Sequence, residues 1–243
     1  MIYPVILAGA GPGEVGLLTL AAREAISHAQ VLAYDSLVSP EILALAPADA
    51  QRIPVTRRGD PGAVPQERVA ALLAERAGEG LRVVRLKGGD PFLYGRGQEE
   101  KAELEALGMT VEVIPGLSAA LAAPACAGIP VTWGDLSGAV HILSGSPRTG
   151  RALELDYGAL VRTGGTMVFL MAVERLEEIC AGLLAGGLPP GTPAALVENG
   201  ALPGQRRIDG TAGTLPPIAR AAAVTEPAVL VVGAVCAPRG EPG

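Results

Sequence analysis

Residues 81–97, LRVVRLKGGDPFLYGRG, constrain the fold more than any other stretch of the chain. An apolar run containing Val83, Val84 and Leu86 stops at Gly88-Gly89 and is followed by Asp90 and Pro91. Such a run reads as a buried strand, and the glycine pair lets the backbone turn sharply with no Cβ to obstruct a ligand. In an open α/β sheet, ligands sit outside the carboxyl ends of strands. Asp90 would then face that crevice, its carboxylate available to a hydroxyl or an amine. The local alternative is that Asp90 caps the next helix.

The same alternation of strand and helix runs through the chain. Strands are expected at 3–8, 31–34, 52–55 and 111–114, with helices at 18–28, after Ser39-Pro40, from Pro65-Gln66-Glu67 to about Gly78–Gly80, and at 97–107. Ile114-Pro115-Gly116 breaks the pattern and reads as a domain boundary, which gives an N-terminal α/β domain over 1–114 and a C-terminal one over 115–243. The second half opens with a small-residue helix at 118–127. Strands follow at 139–144, 166–170, 194–198, 205–210 and 228–232, with helices at 173–185 and 214–222. Glu198 ends one strand and Gln205 starts the next a few residues on, so this pair is expected as an antiparallel hairpin in a mixed sheet.

Composition excludes several classes. A chain of 243 residues that is 49% hydrophobic can bury a real core. Gly, Pro or charge interrupts every apolar run before the roughly 20 residues a membrane helix needs. The start, MIYPVILAGAGPG, has no basic leader, so a cytoplasmic protein is expected. Cys126, Cys180 and Cys236 lie far apart in apolar surroundings and read as small core residues, and with only His28 and His141 no metal site is expected. The net charge of −6 argues against nucleic acid. Lys occurs only at 87 and 101, so nearly every cation is Arg, the residue for forked recognition of carboxylates, and the pair Arg57-Arg58 sits in a polar loop.

The first loop carries a decoy. Gly11, Gly13 and Gly16 satisfy G-x-G-x-x-G after the first strand, and Asp35 closes the second, as in a dinucleotide site; a nicotinamide-dependent dehydrogenase is the alternative this spacing raises. Pro12 and Glu14 speak against it, because a carboxylate beside the phosphate-binding amides repels a pyrophosphate. A glycine-rich loop that disfavours anions suits a cationic ligand.

Six segments in this order, GAGPGEVGLLTL, AYDSLVSPEIL, VVRLKGGDPFLYGRGQEE, VIPGLSAALAAPACAGIPVT, MVFLMAV and PAALVENGALPGQRR, resemble the tetrapyrrole (class III) methyltransferase family, and within it the uroporphyrinogen-III C-methyltransferases. The likeness covers nearly the whole chain. It implies the tetrapyrrole methylase fold, two α/β domains with a cofactor cleft between them, and a homodimer. It also implies that S-adenosyl-L-methionine donates two methyl groups to C2 and C7 of uroporphyrinogen III, leaving S-adenosyl-L-homocysteine and giving precorrin-2 by way of precorrin-1, towards sirohaem and cobalamin. A member acting on a later precorrin would share the cofactor residues.

The resemblance also implies a site. Its cofactor positions are Pro12, Gly88, Gly89, Asp90, Leu93, Ser118, Ala119, Met171, Ala195 and Gly200, and its catalytic positions are Asp35, Met171 and Arg57. Asp35 occupies the position that handles a proton or a pyrrole nitrogen of the substrate; a local role, capping the turn after its strand, is the alternative. Three departures bear on substrate contacts. Arg57 stands where the family has Lys, and Arg cannot act as a base, so its role would be to bind a propionate or acetate. Trp133-Gly134 replaces His-Arg, and Gly145-Ser146 replaces Gly-His.

Overall fold

The structure, a computed structural model, describes residues 3–56, 63–146 and 155–237. The chain divides into two units, Met1–Ser118 and Ala119–Gly243.

In the first unit, strands β1 (Val5–Gly9), β2 (Val31–Asp35), β3 (Gln51–Thr56), β4 (Val64–Pro65), β5 (Val83–Lys87) and β6 (Val111–Ile114) form one sheet in the order β4-β3-β2-β5-β1-β6. Every pairing is parallel, so all the strands finish at the same edge. Helices α1 (Leu20–Ser27) and α2 (Pro40–Leu43) cover one face, where Ala22, Ile26 and Ile42 pack on Ala8, Leu32, Val84 and Leu86. Helices α3 (Val69–Gly78) and α4 (Gly97–Ala106) cover the other, where Leu73, Ala77 and Leu104 pack on Val5, Leu7, Ala33 and Val83. The period of two along β5 thus sends Val84 and Leu86 to one layer and Val83 to the other. Each large apolar side chain so buried contributes about 1.5–3 kcal/mol.

Local chemistry sets the helix starts. Thr19 caps α1 by accepting from the Ala22 amide at 3.1 Å, and Ser39 caps α2 ahead of Pro40 at its first position. The helix expected from residue 18 begins at Leu20, because Val15–Leu17 forms a separate 3-10 turn that Glu14 caps through the Gly16 amide. The two-residue strand β4 has no period of its own and contains a proline, so no sequence signal announces it.

The second unit holds α5 (Ala119–Cys126), β7 (Val140–Ser144), α6 (Tyr157–Thr163), β8 (Thr166–Leu170), α7 (Leu176–Ala185), β9 (Pro193–Glu198), β10 (Arg206–Thr211), α8 (Leu215–Ala221) and β11 (Ala228–Val232). The sheet order is β10-β9-β11-β8-β7. It is mixed, as expected: β7 and β8 are parallel, whereas β11 runs against both β8 and β9, and β9 and β10 form the antiparallel hairpin. Leu176, Ile179 and Leu183 of α7 and Leu215 of α8 pack on Phe169, Leu196 and Leu230, while α5 packs against β8 and β11. Helix α6, capped by Asp156 on the Ala159 amide at 2.8 Å, falls where no helix was expected; seven residues containing a glycine are too short to show a helical period.

Candidate active site

In the first unit the carboxyl ends of β1, β5 and β6 converge on glycine. A Cβ at Gly9 would lie 2.5 Å from Gly116 Cα and 2.6 Å from the Gly89 carbonyl oxygen, so only three bare backbones can meet here. Asp90 fastens the junction. Its Oδ2 accepts from the Gly116 amide at 3.1 Å and its Oδ1 from the Phe92 amide at 2.8 Å. It therefore ties two strand ends together rather than capping α4, which starts seven residues later with no side-chain cap. Each carboxylate oxygen keeps a further lone pair for a ligand.

Gly88 lies beside this junction under different constraints. A Cβ there would touch only the side chain of Leu37, at 3.5 Å, so space is open above it. Gly89 holds φ +67°, which favours glycine. Tyr94 and Arg96 in the following loop also take positive φ, 55° and 59°, a conformation that costs a non-glycine residue free energy and clusters at ligand-binding loops.

Two amides of the dinucleotide-like loop are engaged within the protein, that of Gly16 by Glu14 Oε1 at 3.2 Å and that of Gly11 across the sheet crevice. Helix α1 leaves β1 on one face and α4 leaves β5 on the other, so the crevice of this sheet opens between β1 and β5. Gly11 and Gly89 bridge it: the Gly11 amide donates to the Gly89 carbonyl at 3.1 Å and the Gly89 amide to the Gly11 carbonyl at 2.8 Å. The first glycine amide of the motif is thereby spent within the protein. Asp35 is likewise engaged, accepting from Arg85 Nη2 at 2.5 Å and from the Gly88 amide at 3.4 Å. It takes part in a network that reaches beyond its own turn.

In the second unit β7, β8 and β9 end at one edge, since β11 pairs Leu170 and Val197 through Val229. Met171 follows β8 at φ 55° and is 40% exposed, with the backbone of Gly145 pressed against it; a Cβ on Gly145 would come 2.6 Å from the Met171 carbonyl oxygen. Gly200 follows β9, and a Cβ there would overlap Ala123 of α5. Glu198, at the end of β9, accepts from Arg206 Nε and from the amide and hydroxyl of Thr225, at 2.8 and 3.0 Å. The Arg206 bond, helped by Thr225, holds its carboxyl down at about 2.

Residues 4–216 match the family described as Tetrapyrrole (Corrin/Porphyrin) Methylases. The chain belongs to that family. The chain is 44% identical over 231 residues to a siroheme synthase of Methylococcus capsulatus, covering 95% of this chain and 49% of that protein. It is 42% identical over 232 residues to a porphyrin biosynthesis protein HemD of Ruminiclostridium josui, covering 96% and 46%. The chain thus spans about half the length of these curated relatives. Among solved structures, it resembles the uroporphyrin-III C-methyl transferase of Thermus thermophilus complexed with S-adenosylhomocysteine, with a TM-score of 0.81, 35% identity, and coverage of 96% of this chain and 93% of that one.

The fold brings Pro12, Asp35, Gly88, Gly89, Asp90, Leu93 and Ser118 into the loops at or beyond the strand ends of the first unit. Met171 and Gly200 lie at the strand ends of the second unit, and Ala119 begins α5. Ala195 differs: it sits mid-strand in β9, laddered to β10 and β11 and wholly buried. Arg57 lies outside the described residues.

Sequence reasoning passed over Arg85, Lys87 and Glu100. Arg85 Nε meets Glu100 Oε2 at 3.2 Å, and Lys87 Nζ and Gln66 Nε2 meet Glu100 Oε1 at 2.5 and 2.7 Å, all but shut off from solvent. Burial, and then the neighbouring Arg85, pull the Lys87 ammonium below its ordinary pKa, against Asp35 and Glu100. A signal existed: two cations at alternate positions of an apolar strand, directly before Gly-Gly-Asp.

Proposed function

We propose that this methylase transfers methyl groups from S-adenosyl-L-methionine to C2 and C7 of uroporphyrinogen III, giving precorrin-2 by way of precorrin-1, on the route to sirohaem and cobalamin. The observation that carries this reading is the 35% identity, over 96% of the chain, to a uroporphyrin-III C-methyl transferase solved with S-adenosylhomocysteine.

The donor set fits that cofactor. Pro12, the open space above Gly88, the side-chain-free turn at Gly89, the Asp90 carboxylate, Leu93 and Ser118 form a set with no side-chain cation, which suits a positively charged ligand. Ala119, Met171, Ala195 and Gly200 complete the assignment. When bound, S-adenosyl-L-methionine supplies an electrophilic methyl on a sulfonium that leaves as a neutral thioether. The acceptor is an electron-rich pyrrole carbon, so the protein needs no nucleophile of its own. Its glycine backbone and Asp90 orient the donor, and such positioning is worth up to about 7–11 kcal/mol in well-aligned systems. Asp35, fixed by Arg85 and the Gly88 amide, takes the role of holding a pyrrole N–H or receiving a proton. Arg57 takes the role of binding a propionate or acetate.

Titration calorimetry with S-adenosylhomocysteine and with NAD tests the cofactor: saturable binding of the first and none of the second is expected, and the reverse sinks the reading. Incubation with uroporphyrinogen III and S-adenosyl-L-methionine tests the acceptor, with a mass gain of two methyl groups expected. A later precorrin as acceptor is favoured by one observation, the TM-score of 0.87 at 25% identity to a cobalt precorrin-4 methyltransferase. Competition between the two acceptors decides. The same reading makes the protein a cytoplasmic homodimer, and sedimentation tests its mass. No described helix is long and apolar enough to cross a membrane.

A further inference from the structure

We propose that Arg85 is a positioning residue, a fully buried fork braced on Glu100 that sets the orientation of the Asp35 carboxylate at the sheet edge. The inference rests on the reading of Asp35 given above and deepens it.

Strand alternation builds the arrangement. Val31 and Ala33 of β2 and Val83 of β5 face α3 and α4, so Asp35 and Arg85, two residues further along, and Lys87, two beyond Arg85, face the same way. Glu100 comes down on them from α4 and Gln66 from the turn before α3. Arg85 spans two acids: Nε and Nη2 reach Glu100 at 3.2 and 3.3 Å, while Nη2 also reaches Asp35 Oδ1 at 2.5 Å. Its Nη1 donates to the Leu86 carbonyl at 3.0 Å, so the guanidinium plane is held on three sides.

Stability alone does not account for this. Buried ion networks are weak contributors, and apolar residues of similar volume often serve as well or better. Glu100 has Lys87 and Gln66 as partners without Arg85. What Arg85 adds is Asp35. Within the network the side chain of Asp35 is 31% exposed, whereas those of Arg85, Lys87 and Glu100 are at most 3%. A rigid interior therefore ends in one accessible acid, with its Oδ2 beside the Gly88 amide. Only a planar, permanently charged fork can grip both carboxylates at fixed angles, which a flexible ammonium does not do.

The test is a double-mutant cycle on the full chain, using Arg85→Lys and Asp35→Asn, read as kcat with uroporphyrinogen III and as calorimetric affinity for S-adenosylhomocysteine. Arg85→Lys is expected to lower kcat by about 10–100-fold with KM for the methyl donor and the S-adenosylhomocysteine affinity unchanged, and to lower it less than about twofold once Asp35 is already Asn. An unchanged kcat, or an equal loss in both backgrounds, overturns the inference. Should Arg85→Lys not fold, Glu100→Gln carries the same cycle with the same expectations. If Asp35→Asn disables the enzyme while Arg85→Lys does not, the positioning role alone fails. If wild-type protein does not bind S-adenosylhomocysteine, or Asp35→Asn keeps full activity, the reading beneath it fails as well.

Discussion

The Asp90 carboxylate accepts the Gly116 amide at 3.1 Å, so one side chain joins the end of β5 to the end of β6. Asp90→Ala strands two backbone donors, at a cost of about 1–3 kcal/mol each where they stay dry. We expect S-adenosylhomocysteine affinity to fall at least about tenfold, with the melting temperature lowered by about 2–4 °C per kcal/mol lost. Calorimetry and thermal unfolding measure the two effects separately, and an unchanged affinity would remove Asp90 from the site.

Gly116 and Gly88, each just past a strand end of the first sheet, should respond differently. Gly116→Ala drives a Cβ into the Gly89 carbonyl and Gly9, and a close-packed junction of backbone cannot yield, so we expect at least about 1–3 kcal/mol of destabilisation. Gly88→Ala meets only Leu37 at 3.5 Å, so the fold is expected to keep its melting temperature while donor affinity drops. Equal melting temperatures for the two variants would contradict this account of the junction.

Acid should act on the second unit through Glu198. Its carboxyl is held down at about 2 in the folded protein, chiefly by Arg206, against an ordinary value of 4.5. A depressed carboxylate adds stability that is complete above the unfolded pKa and disappears as pH falls through the folded one. Glu198→Gln is therefore expected to lower the melting temperature at pH 7 and to converge with wild type between about pH 4.5 and pH 2. Parallel melting curves across that range would rule the assignment out.

Burial pushes the Cys180 thiol up to about 11 and the Cys236 thiol up to about 12, and both side chains are enclosed, whereas Cys126 is exposed. Because the thiolate is the reactive form, iodoacetamide at pH 8 should label Cys126 alone in the native protein and all three after unfolding. Mass spectrometry reads the adducts. Early labelling of Cys180 would show that the α7 layer opens.

The strand end at Gly88–Asp90 was legible because its signals are local: an apolar run, a glycine pair, an acid, a proline. The hairpin of β9 and β10 was legible from the short gap between Glu198 and Gln205. Asp90 was only half legible, since one of its two partners, Gly116, is 26 residues away and no pattern links them. Arg85 left a local trace in its alternation with Lys87, but its pairing with Glu100 left none. Hydrophobic periodicity assigns charges to the surface, and these two are buried because they answer each other across 15 residues of chain. The same limit hid the real partners of Asp35, which spacing alone matched to a nucleotide ribose.

The first sheet closes on one side with Val64–Pro65, a strand of two residues, one of them without an amide hydrogen. Such a border offers a stray polypeptide almost nothing to zip onto. Self-association that lengthens the ladder past β4 is thereby discouraged, which leaves β6 as the border of this sheet with backbone to offer.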